Sequence, residues 1–275
     1  MLLLTALTAS AQLDPISRNM IQLGYDQALE GQGPQAIYAY YYYNNPEVFG
    51  SNTVLRTAVA PLYLDGELGF KHLLSPSTDV GLGFYGGAYA DNYYYVNQGD
   101  YNKSQSFNGN SGGAALSLYQ RINPGQLIPV NFVARAGARY TVYDRTSDTA
   151  DIYGLPENQP ITFIRTGLRL AGREPLLHPA LGLELSFWYS HQWRSHPSPY
   201  GYGDAHELSP STGLYWAYAN FNYTWTNIHH RIAFSMTAGG SDGADPLNAW
   251  RLGGVLPLVA EFGTGLWGVG PGKNP

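Results

Sequence analysis

The chain has 275 residues, enough for one large domain or two small ones. Only 13% of them are charged, about half the share of an ordinary soluble domain. The net charge of −5, with few basic clusters, argues against a nucleic-acid binder. No apolar run approaches the length of a membrane-spanning helix, and the low charge argues against a disordered chain. Cysteine is absent, which removes a disulfide framework, a thiolate zinc site and a thiol nucleophile. With 23 tyrosines and 33 glycines, the composition that remains is that of an all-β protein.

Residues 1–11, MLLLTALTASA, are apolar and then small, and Ala9-Ser10-Ala11 fits the cleavage pattern of a secretory signal, with Gln12 as the first mature residue. Residues 12–33 read as a periplasmic N-terminal segment. About ten strands follow, near 34–44, 53–74, 77–95, 112–122, 129–144, 161–173, 179–193, 211–226, 229–240 and 249–262. The alternation is clearest where Ala134, Ala136, Ala138, Tyr140 and Val142 share one face and Arg135, Gly137, Arg139 and Thr141 the other. Leu181, Leu183, Leu185, Phe187 and Tyr189 oppose Gly182, Glu184, Ser186, Trp188 and Ser190 in the same way. Successive strand residues point to opposite sides, so each segment has an apolar and a polar face.

The connections alternate as well. Short turns at 75–78, 123–128, 174–178 and 227–228 separate long polar links at 96–111, 145–160, 194–210 and 239–248, with an intermediate first link at 45–52. Tight turns at one end and long loops at the other are the habit of outer-membrane barrels. A barrel of this many strands is too wide for its side chains to fill an apolar interior, so the apolar face belongs outside and the polar face inside. Arg135, Arg139, Arg165, Arg169, Glu184 and Arg231 all fall on the polar face. Tyrosines 40–43 and 93–95, Phe187 with Tyr189, and Phe221 with Tyr223 and Trp225 cluster toward strand ends, as membrane–water girdles do. Inward Gly81, Gly83 and Gly87 leave room for bulky neighbours or for bending.

Arg135, Arg139, Arg165, Arg169 and Arg173, with Glu184 on the next strand, form the candidate lumen-facing cluster. It reads either as a stripe that favours anions or as an internal salt-bridge network that keeps a narrow barrel shut, the second being preferred. The adjacent His229 and His230 point to opposite faces and cannot easily share a metal, so no metal site and no cofactor are expected. Ser186 and Ser190 lie near His191, but parity puts that histidine on the lipid face, and no G-x-S-x-G occurs. An enzyme is therefore not expected.

Residues Asp245-Pro246-Leu247-Asn248-Ala249-Trp250-Arg251-Leu252-Gly253-Gly254 carry a resemblance. The aromatic-x-Leu-Gly-Gly stretch resembles the opening of an inward-folded loop in the bacterial surface-antigen barrels, the superfamily of outer-membrane assembly factors and two-partner secretion translocators. The resemblance implies a motif loop at Trp250, Arg251, Leu252, Gly253 and Gly254, with 249–262 inserted in the lumen instead of forming a tenth strand. The Arg-Gly-aromatic tip of that family does not follow in 255–275, and Arg251 does not take its role. Residues 263–275 are rich in glycine and proline and form no closing strand, so the barrel over 34–262 is expected to be truncated or frameshifted and not fully closed.

The expectation is thus an antiparallel up-and-down transmembrane β-barrel in the bacterial outer membrane, with lipid as partner and further strands or an exported protein as candidate partners. Its role would be structural, in pore formation or in protein insertion or export. The alternatives are a porin-like passive channel and, from another class, a barrel lipase or protease.

Overall fold

The computed structural model describes residues 13, 17–26, 36–88, 92–126, 128–171, 181–225 and 230–248. Eleven strands form one antiparallel sheet in which each pairs with the next along the chain. They are β1 (Arg18–Asp26), β2 (Ala36–Asn45), β3 (Thr53–Ala60), β4 (Tyr63–Ser75), β5 (Thr78–Gly87), β8 (Phe107–Arg121), β9 (Val130–Arg145), β10 (Gln159–Ala171), β11 (Leu181–Arg194), β12 (Ser211–Trp225) and β13 (His230–Asp242). The two-residue strands β6 (Val96–Asn97) and β7 (Asp100–Tyr101) pair with each other inside the link from β5 to β8. No α-helix occurs among the described residues; two single 3₁₀ turns sit in the links. The fold is all-β and antiparallel, with β1 and β13 at the two ends of the ladder and no pairing between them among the described residues.

Several boundaries differ from the sequence reading. Residues 53–74 are not one strand but the hairpin β3–β4, turning at Pro61-Leu62. Proline lacks the N–H a central strand needs and presets φ for a turn, so the break falls there. Residues 18–26, placed in the segment before the first strand, pair along their whole length with β2. The strand predicted to reach residue 95 ends at Gly87, after Gly86 takes φ +152, a backbone conformation that a side chain resists. Conversely, β8 starts five residues before the predicted 112. The strict alternation of link lengths also fails: the two-residue turn 61–62 lies at the long-link end, and 46–52 lies with the short turns. Arg173, the turns at 174–178 and 227–228, His229, the whole of 250–254 and the first eleven residues lie outside the described residues.

The sheet is inside-out relative to a water-soluble protein. Leu183 is 54% exposed, while Arg169, on the polar face of the neighbouring strand, is 5% exposed. Leu82, Leu116, Leu168, Phe221, Ile232, Phe234 and Met236 are likewise outward and exposed. Away from the bulge between Phe70 and Ser75, the register gives the outward positions among the described residues no lysine or arginine. The only carboxylates at those described positions are Asp144 and Asp242, both at the long-link end. The polar face is the enclosed one, and the sheet curls far enough for side chains of non-adjacent strands to meet across it: Arg56 on β3 reaches Tyr119 on β8 at 3.2 Å.

Candidate functional site: the enclosed polar face

Glu67 is the hub of the interior. Its side chain and that of Arg56, directly opposite on β3, are fully buried, and Arg56 Nη2 donates to Glu67 Oε1 at 2.5 Å. Tyr119 donates its hydroxyl to the same oxygen at 2.9 Å, Ser117 donates to Oε2 at 2.9 Å, and Arg135 Nη1 approaches Oε2 at 3.4 Å. Three strands, β3, β8 and β9, are thereby tied to a carboxylate on a fourth. The backbone between them makes this possible: β5 carries glycine at 81 and 83, beside Glu67. A Cβ at Gly81 would stand 2.7 Å from a Glu67 oxygen, and one at Gly83 would stand 2.6 Å from Arg135 Nη2. Bare backbone lets both side chains lie flat across β5.

Of the predicted arginine stripe, Arg135 and Arg169 are buried and Arg139 and Arg165 share their face half-buried, each with its own surroundings. Arg135 and Arg165 are directly opposed in the β9–β10 register, a like-charge pairing that would be unfavourable alone. They diverge: Arg135 goes to Glu67, and the Arg165 guanidinium lies 5.7 Å from the ring centre of Trp216. Arg169 Nε donates to Glu184 Oε1 at 3.0 Å, and its guanidinium lies 5.3 Å from the ring centre of Trp188. Trp188 and Trp216 are cross-strand partners, stacked with centroids 6.1 Å apart. Gly167 of β10 faces Trp188 of β11, and a Cβ there would run into the indole. Arg139 shares the inward face, its Nε shielded from solvent. Arg173 lies outside the described residues.

Beside this layer, Leu13 is fully buried with Val54, Tyr119, Val133, Trp188 and Trp216. Sequence reasoning missed Arg56, Glu67, Ser117 and Tyr119. The signal for Glu67 was present, since Asp65 and Glu67 share one parity in YLDGELGF while Leu64, Leu68 and Phe70 share the other. Reading 53–74 as one unbroken strand hid it.

The serines considered for catalysis do not meet the histidine. Ser186 and Ser190 are inward and buried, whereas His191 is on the opposite face, within 3.0 Å of the Tyr189 hydroxyl. No group of three or more potential metal-ligating His, Asp or Glu side chains occurs among the described residues.

At the long-link end the loops knit into an aromatic rim of Tyr93, Phe107, Tyr143, Tyr153, Tyr200 and Leu208. Gly154 and Gly201 exchange backbone hydrogen bonds at 3.0 and 2.9 Å, joining the β9–β10 link to the β11–β12 link. Asp245 anchors the segment after β13: it pairs with the buried Arg194, and accepts from the backbone N–H groups of Ser209 at 3.0 Å and Leu247 at 2.9 Å. Burial, then the neighbouring tyrosines, pushes the phenols of Tyr153 and Tyr200 upward. A raised phenol favours the folded state fully below the unfolded value near pH 10, and that contribution shrinks as pH climbs beyond it. Tyrosinate absorbance should therefore rise later in the native chain than in the denatured one, with melting temperature falling above about pH 10.

No family model matches the chain, and neither a curated protein nor a solved structure matches it.

Proposed function

We propose that this chain is a bacterial outer-membrane β-barrel with a structural role, in pore formation or in protein insertion or export, and with membrane lipid as its first partner. The observation that carries the reading is the outward face: apolar, exposed and without charge between its ends. From Leu183 to Trp193 the outward side chains of β11, apolar or aromatic save His191 toward the long-link end, cover ten residue steps, about 33 Å along the strand. At the usual barrel tilt that is a rise of about 25 Å, the height of the apolar band of an outer-membrane barrel. In water so large an apolar surface would drive association. In lipid it needs no further cover, and antiparallel pairing satisfies the backbone.

A wide passive channel is disfavoured by the Glu67 hub, the tryptophan pair and Leu13, which occupy the interior. The resemblance at 245–254 points to the surface-antigen class and, with it, to further strands or an exported protein as partners. The test is membrane fractionation combined with gel mobility before and after boiling. The expected product sediments with outer membranes and migrates differently unheated; a soluble product with one mobility overturns the assignment.

A further inference from the structure

We infer that Glu67 is the latch of a closed, anion-preferring bore. The inference rests on the membrane reading above and adds how the bore is held shut and what it would pass. Glu67 takes one donor from the neighbouring strand β3 and, past the glycines of β5, further donors from β8 and β9, so one carboxylate ties strands that do not pair with its own. Tyr119 couples this hub to the next layer: its hydroxyl binds Glu67 at 2.9 Å, and its ring packs in the cluster that holds Leu13. Leu13 in turn rests on Gly69, two residues along β4 from Glu67. Loss of the carboxylate therefore loosens the tyrosine, whose hydroxyl keeps Arg56 at 3.2 Å, and with it the leucine seat.

The walls set the preference once the latch is open. Around the hub and the tryptophan layer the enclosed face presents Arg56, Arg121, Arg135, Arg139, Arg165 and Arg169 against Asp65, Glu67, Asp79 and Glu184. Neutralising Glu67 leaves six arginines facing three carboxylates. A charge ring of that sign favours small anions such as chloride.

The test is single-channel recording of the purified full chain in planar bilayers of phosphatidylethanolamine and phosphatidylglycerol under a KCl gradient. Wild type should stay closed at low voltage. Glu67→Gln should open about tenfold more often, with a reversal potential toward that of chloride, and adding Arg135→Gln should weaken that preference. If Glu67→Gln does not fold, Tyr119→Phe, which removes the hydroxyl and keeps the ring, should give the same opening at lower frequency. Liposome flotation separates the two claims. Protein that does not float overturns the membrane reading. Variants that float and show native mobility, yet open no more than wild type or prefer potassium, overturn the latch alone.

Discussion

Leu168→Arg is expected to cost about 2–4 kcal/mol in equilibrium unfolding from phospholipid vesicles, the cost of a cation on the lipid face near mid-membrane. Leu168 is outward on β10 and pairs with Phe132 on one side and Phe187 on the other, in the middle of the apolar band. An arginine there has no enclosed carboxylate to turn toward, since those lie on the other face of the sheet. Were the same face wetted by water, an exposed leucine replaced by arginine would change stability by only about 0.5 kcal/mol either way. The gap between the two values makes this substitution a direct test of what the outer surface touches. Ile152→Arg, at an exposed position in the β9–β10 link, serves as the control and should be neutral.

Removing Asp245 should loosen the rim more than any other single change there. Asp245→Ala leaves Arg194 buried without its carboxylate, and truncating one member of a buried pair typically costs about 3–5 kcal/mol. It also deprives the Ser209 and Leu247 N–H groups of their acceptor. Because loops can open without the strands beneath them, the first sign should be faster proteolysis within 195–210, followed by a lower melting temperature. Asp245→Asn, which keeps the acceptor but not the charge, should fall between wild type and alanine. Unchanged proteolysis in the alanine variant would show that the pair does not hold the rim.

Both predictions depend on features of different legibility. The outward set to which Leu168 belongs was readable from alternation alone, because a strand's side chains repeat every two residues and no tertiary partner alters that parity. The same parity placed Arg135, Arg165 and Arg169 on one face. Asp245 was not legible as an anchor: it stands 51 residues from Arg194 and carries no local signature beyond a turn.

By itself, then, the amino-acid order determined most of the strands and their two faces and excluded helical membrane spans, through local periodicity and composition, but it showed neither β1 nor the break between β3 and β4. Which arginine meets which carboxylate was decided only when the sheet curled. Glu67 finds Ser117 and Tyr119 because the side-chain-free positions 81 and 83 of β5 let it lean past its neighbour, and Arg165 turns to Trp216 because Arg135 already faces Glu67. Such pairings join residues up to 68 positions apart. They are set by register and curvature, quantities that belong to the assembled sheet and to no single strand.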